Sequence, residues 1–290
     1  MKSITEVNRI DLHMHSNVSD GSCTPEEILD NVKSVGLELF SLTDHDALHG
    51  CANVKEYRQE GDPLFISGVE LSCKDECGKY HILGYGYDAA AEPISTMVEQ
   101  GHMARFKKLK LRLDALKEKF GFEFSKEDVA SLYAKSNPGK PHIANMMVKY
   151  GYAETRDQAF SDYLNRVKIV DMYFRPEEAI DAISKSGGIP VLAHPSYGSG
   201  DELYIGEEME NRVKRLMNFG LQGLEGYYSG FTPALQKEIL GYAEKYDLYV
   251  TAGSDYHGTN KIIALGDNNL EDAQQAPRGL KRFLEEVPLR

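Results

Sequence analysis

The stretch Asp11-Leu12-His13-Met14-His15-Ser16-Asn17-Val18-Ser19-Asp20-Gly21 decides how the rest of the chain is read. In an extended strand, successive side chains face opposite ways. Ile10, Leu12 and Met14 then form an apolar face, and Asp11, His13 and His15 share the other. Two imidazoles at i and i+2 can hold one metal ion, and Asp20 offers a hard oxygen donor a few residues later. The same grammar recurs outward along the chain. Seven short apolar runs read as strands: Arg9–Met14, Glu38–Thr43, Leu64–Val69, Tyr80–Tyr85, Ile189–Ala193, Gly223–Tyr227 and Leu248–Ala252. His45 follows the second run, Glu70 the third, His194 the fifth, and Asp255 and His257 the seventh, while His81 opens the fourth.

Helical patterns separate most of these runs. Thr24-Pro25-Glu26-Glu27 is a cap followed by proline and early acids, and Pro176-Glu177-Glu178 repeats it. Alternating strands and helices predict an α/β fold with a mostly parallel sheet. Lys74–Gly78 is too short for a crossover helix and predicts a hairpin instead. Residues 94–168 break the alternation and read as a small helical insertion covering the substrate, leaving 1–93 and 169–290 as the main α/β unit. Within the insertion, Gly101–Phe120 holds seven basic and two acidic residues, a local charge of +5 in a chain of net charge −12. That run reads either as a solvated helix face or as an anion funnel over a site.

Composition narrows the function classes. The chain has 290 residues, 41% of them hydrophobic and 27% charged, which excludes disordered and fibrous classes. A strongly acidic chain lacks the broad basic face that long DNA or a membrane surface requires. Its four cysteines do not form a disulfide framework, and the N-terminus carries no apolar leader, so a soluble cytoplasmic protein is expected. A lone histidine is usually structural. Here six of nine stand at strand junctions beside Asp20, Glu70 and Asp255, which makes nine candidate ligands. Imidazole and carboxylate donors without thiolate suit Mn²⁺, Fe²⁺ or Zn²⁺, and nine donors suit a cluster rather than one ion. Clustered ions serve phosphoryl transfer well.

Taken together, His13-Met14-His15 with Asp20-Gly21, Thr43-Asp44-His45-Asp46, Gly68-Val69-Glu70, His81-Ile82-Leu83-Gly84, Leu192-Ala193-His194-Pro195 and Gly253-Ser254-Asp255-Tyr256-His257-Gly258 resemble the PHP (polymerase and histidinol phosphatase) superfamily of metallo-phosphoesterases. The resemblance spans almost the whole chain. It implies a distorted (β/α)7 barrel and three divalent ions. His13, His15, Glu70 and Asp255 would hold the first, Asp20, His45 and His257 the second, and Glu70, His81 and His194 the third, with Glu70 bridging. It further implies attack on phosphorus by a metal-bound hydroxide, with Asp255 and His194 as the catalytic residues. The insertion is similar to that of the branch acting on small phosphorylated metabolites. A nucleoside 3',5'-bisphosphate or a short RNA 5' end is the expected substrate, and a cyclic ribose phosphate the alternative. A non-catalytic phosphate-binding module is the rival of another class, and such a protein would be expected to have lost ligands.

Two departures from that branch concern recognition. Gly139-Lys140-Pro141-His142 carries lysine where relatives often have arginine, and Glu225-Gly226-Tyr227-Tyr228 stands where they often show Glu-Val-Tyr-His. Lys140, His142, Arg175, Tyr228 and Lys261 are the candidate substrate contacts. Asp44 and Asp46 flank a ligand and read as groups that orient it.

Overall fold

The computed structural model describes residues 3–134, 138–170, 173–198 and 202–289. Seven strands form one sheet in chain order: β1 (Ile10–Asp11), β2 (Leu39–Leu42), β3 (Leu64–Asp75), β4 (Gly78–Tyr85), β5 (Ile189–Leu192), β6 (Gly223–Tyr228) and β7 (Tyr249–Gly253). Neighbours run parallel except at β4, which is antiparallel to both β3 and β5. The two edges meet through backbone bonds: Leu12 N donates to Ala252 O, Asp255 N to His13 O and His15 N to Tyr256 O, each at 2.8 Å. The sheet is thus the distorted (β/α)7 barrel, and the distortion has a local cause. Glu76 and Cys77 alone separate β3 from β4, so the chain can only turn straight back.

The first strand is shorter than the sequence suggests. Only Ile10 and Asp11 pair with β2; beyond them Leu12, His13 and His15 bond to Ala252, Asp255 and Tyr256, while Met14 O still accepts Thr43 N.

Helices α1 (Pro25–Ser34) and α2 (His49–Tyr57) cover the first crossovers. Between β4 and β5 lie α3 (Glu92–Phe120), α4 (Lys126–Tyr133), α5 (Lys140–Lys149), the short α6 (Arg156–Gln158) with a π-helical turn at Ala159–Leu164, and α7 (Pro176–Lys185). Then α8 (Gly206–Asn218), α9 (Pro233–Lys245) and α10 (Arg278–Glu286) alternate with the last strands. The expected start of α1 takes the form of a capping box: Thr24 N donates to Glu27 Oε2 and Glu27 N to Thr24 Oγ1, worth about 1 kcal/mol.

Ile66, Tyr80, Ile82, Tyr85, Val191 and Leu224 belong to the barrel core. A separate apolar cluster gathers Leu109, Leu116, Ile143, Met147 and Leu164. Helix α3 belongs to both, since Ile94, Met97 and Val98 pack on the barrel while Leu109 and Leu116 pack in the second cluster. No helix among the described residues is long and apolar enough to cross a membrane.

Candidate metal centre

Strand ends and the loops behind them bring all nine expected ligands to one end of the barrel. Glu70 lies at the middle. Its Oε1 is 2.9 Å from His81 Nδ1 and 3.2 Å from His194 Nε2. Its Oε2 is 3.1 Å from His15 Nε2, 3.1 Å from His45 Nδ1 and 3.4 Å from His13 Nε2. Asp255 Oδ1 lies 3.6 Å from His13 Nε2 and 3.4 Å from His15 Nε2. Asp20 Oδ1 is 3.2 Å from His257 Nε2, and Asp20 Oδ2 is 3.9 Å from His45 Nε2.

A buried layer holds these donors in place. Glu225, fully buried, takes His13 Nδ1 at 2.9 Å and His194 N at 2.7 Å, so His13 turns Nε2 toward the ring. His257 Nδ1 lies 2.8 Å from Asp255 O, which directs its Nε2 at Asp20. Asp11 accepts Ser254 N and Oγ, fastening the loop that carries Asp255. Asp44 accepts Ser16 N, Ser16 Oγ and Ser19 Oγ, and so shapes the loop of Asp20. Three residues there adopt positive φ: Asp46 at 49°, His194 at 26° and Asp255 at 59°. Non-glycine residues reach this region only when surroundings force them, and such strain gathers at functional sites.

The electrostatics suit cations. Burial opposes ionisation of Asp20, Glu70 and Asp255, yet facing imidazoles and, for Asp255, Lys261 hold all three well below the usual carboxylate range. Burial likewise opposes the charged form of His13, but Glu225, Glu70 and Asp255 raise it far above the ordinary value. Burial, with His15 and His81 alongside, pushes His45 down to about 3. Buried carboxylates of this density require positive partners. His13 Nε2 and His15 Nε2 are buried, aim into the ring and make no hydrogen bond. Within the ring, three donor groups lie close enough to share an ion: His15, Asp20, His45 and His257; His13, His15 and Glu70; and His45, Glu70 and His81. The donor set therefore fits divalent metals.

Two cavities open onto the ring. One, of about 330 Å³, is lined by Glu70, His194, Tyr197, Tyr228, Asp255 and Lys261. Tyr228 and Lys261, both expected at the site, reach Asp255 Oδ2 at 3.1 Å and 2.7 Å. Burial opposes the Lys261 ammonium, but Asp255 against it raises its pKa above the usual lysine value. The other cavity, of about 350 Å³, has Asp20, His45 and His81 on its floor and Arg105, Lys108, Arg112 and Lys140 among its walls. His142 lines it too, and its Nδ1 accepts Gly139 N at 3.1 Å.

Arg175 departs from expectation. Its Nε donates to Glu177 and its Nη1 lies 3.4 Å from Glu76, and it lines neither cavity. Paired with two surface acids, it is directed away from the ring. Conversely, Glu225 and Lys79, which lines the second cavity, escaped assignment from the sequence, and Arg105, Lys108 and Arg112 entered it only within the basic run Gly101–Phe120. For the last three a signal existed: with Gly101 they fall at i, i+4, i+7 and i+11, one face of a helix. Two other basic residues of that run bind local partners, Lys110 with Asp114 and Lys117 with Glu123.

The chain is similar to known proteins. The profile of the PHP domain matches residues 11–286. The chain is 28% identical to a 5'-3' exoribonuclease of Haemophilus influenzae, across 90% of this chain and 94% of that one. It is 28% identical to a 3',5'-nucleoside bisphosphate phosphatase of Chromobacterium violaceum, across 86% and 87%. It is 29% identical to a phosphoribosyl 1,2-cyclic phosphate 1,2-diphosphodiesterase of Eggerthella lenta, across 86% and 94%. A crystal structure from Bifidobacterium adolescentis, provisionally described as a metal-dependent phosphoesterase, superposes with a TM-score of 0.79 at 30% identity, covering 91% of this chain and 93% of its own.

Proposed function

The chain belongs to the PHP domain family, and we propose that this metal-dependent phosphoester hydrolase acts on a nucleoside 3',5'-bisphosphate or on the 5' end of a short RNA. One observation carries the substrate class, a ribose bearing two anionic groups: Arg105, Lys108, Arg112 and Lys140 line the same cavity as Asp20, His45 and His81 of the ring. A substrate with two anionic groups joined by a ribose engages both, one phosphate at the ring and the other at the wall. Arg112 Nε is buried without a hydrogen-bond partner, and burial lowers the guanidinium's pKa, so an anion there relieves a real deficit. A phosphoribosyl cyclic phosphate also carries two anionic groups on one ribose and would meet the same wall, so the assay below decides between the two substrates.

We assign the donors to three divalent ions, with His13, His15, Glu70 and Asp255 at the first, Asp20, His45 and His257 at the second, and Glu70, His81 and His194 at the third. Glu70 would serve more than one of these ions, since its Oε1 faces His81 and His194 while its Oε2 faces His13, His15 and His45. Divalent ions bound by such donors activate water at neutral pH and polarise phosphoryl oxygens. Around them the chain orients the ligands: Glu225 sets the His13 ring, and Tyr228 with Lys261 confines Asp255 Oδ2 so that Oδ1 faces the donors. The cationic wall holds the remote phosphate and aligns the reacting one.

Phosphate release from adenosine 3',5'-bisphosphate by the Mn²⁺-loaded protein, with Asp255→Asn as control, tests this reading. Release by the wild type alone is expected. Equal release by both proteins refutes the assigned site, and release only from a cyclic ribose phosphate moves the substrate to the alternative.

A further inference from the structure

We propose that Asp46 is a positioning residue for substrate recognition: it grips one edge of Arg105 and fixes where the remote phosphate is bound. The inference rests on the function proposed above and adds a residue to it. The Asp46 side chain is 6% exposed, and its backbone stands at φ 49°, a conformation a β-carbon resists. Contacts on three sides hold it there. Asp46 N donates to Glu70 O at 2.9 Å, and Ser72 N donates to Asp46 Oδ1 at 2.8 Å. Asp46 Oδ2 accepts Arg105 Nε at 3.1 Å and also Arg105 Nη2.

This grip leaves Arg105 Nη1, which has no protein partner among the described residues, for a ligand in the cavity that Arg105 lines. The approach of α3 is set at the same place. A β-carbon at Gly101 would come within 2.6 Å of the Phe174 ring and 3.5 Å of Asp46 Cβ, so only glycine lets the helix sit this close. Phe174 is itself pinned to β3, with Lys74 N donating to its O and its N to Ser72 O. A free arginine loses rotamer freedom when it binds an anion, whereas one already clamped has lost it beforehand. Lysine at 105 could not reproduce a grip that uses two nitrogens of a planar group. Because Asp46 also bonds the backbone of Glu70, the clamp ties the recognition wall to the ligand ring.

The test compares wild type, Asp46→Asn, Arg105→Lys and the double variant on adenosine 3',5'-bisphosphate and on p-nitrophenyl phosphate, which has no remote anion. Metal content is measured for each. We expect Asp46→Asn to raise KM for the bisphosphate about 10- to 100-fold, more than it lowers kcat, and to cut its kcat/KM advantage over p-nitrophenyl phosphate at least tenfold. Arg105→Lys should do the same, and the double variant should be no worse than about threefold beyond the larger single, since both break one contact. An unchanged KM overturns the proposal. So does a fall in metal content with equal losses on both substrates, which would make Asp46 a support of the ligand loop alone. If the wild type releases no phosphate from the bisphosphate, the proposed function has failed, and the clamp is read by calorimetric binding of the same compound. A tenfold weaker affinity in Asp46→Asn then upholds it, and equal affinity or no binding by either protein overturns it.

Discussion

On the barrel side of the site, Asp20, Glu70 and Asp255 lie among six imidazoles, with buried Glu225 holding His13 and buried Asp44 and Asp11 fastening the loops of Asp20 and Asp255. On the helical side, Arg105, Lys108, Arg112 and Lys140 stand on α3 and α5 around a cavity, with Asp20 and Asp46 as its lining carboxylates. The two regions reach order by different means. Ligands at strand ends come from distant points in the chain, so their geometry depends on hydrogen bonds between loops that only the closed barrel brings together. The cations of α3 need little more than a helix, because its period alone puts Arg105, Lys108 and Arg112 on one face. Metal binding therefore tolerates little change in the supporting layer, while recognition should degrade in steps as single cations are lost.

The sharpest way to break the comparison is Glu70→Gln, which touches five imidazoles at once. Bound metal, read by elemental analysis, should fall, and kcat should drop on the order of 10³-fold or more, since metal polarisation supplies several kcal/mol to the transition state. Next comes Glu225→Gln, which leaves every ligand in place but weakens the orientation of His13 and His194. Metal affinity or activity should fall about 10- to 100-fold. If Glu225→Gln cost nothing, the buried layer would not matter in the way described. Arg112→Leu probes the other side: KM for adenosine 3',5'-bisphosphate should rise about tenfold, a typical loss for one charge-assisted hydrogen bond, with metal content as in the wild type.

The smallest effect is expected far from both regions, on the outer helices. Glu210 accepts Lys245 at 2.7 Å, with Tyr246 and Lys214 alongside, and its carboxyl is brought from an ordinary 4.5 down to about 2. A depressed acid stabilises the fold above its unfolded pKa, and that contribution is lost as pH falls through the folded value. Glu210→Gln should therefore lower the unfolding midpoint slightly near pH 7, and the difference should fade between about pH 4.5 and 2. This surface group keeps contact with solvent, which screens it, so a loss of bound metal or activity in Glu210→Gln would contradict the ranking.

Much of the molecule was legible in its residues, for reasons that differ by element. Strand-ending histidines and acids announce themselves because ligation demands particular side chains, and a barrel sends strand ends to one rim. The hairpin between β3 and β4 was legible because a linker as short as Lys74–Gly78 leaves no room for a crossover helix. The length of β1 was not, because whether Leu12 pairs with β2 or with β7 is settled by how the sheet closes. Arg175 looked like a site residue by its place before a helix, yet Glu76, from the tip of the β3–β4 hairpin, and Glu177 draw it away. Glu225 sits in an apolar strand run, and nothing local marks it as the partner of His13, 212 positions earlier.

By itself, then, the sequence pointed to the candidate donors, the succession of strands along the chain and the chemistry such donors suit, because these follow from residue type and short-range periodicity. Only the tertiary structure decided which buried carboxylates orient the ligands, which half of the basic helix looks into the site, and that Asp46 meets Arg105 across 59 positions. Those outcomes depend on contacts between segments far apart in the chain, and such contacts exist only once the barrel has closed and α3 has settled against it at Gly101.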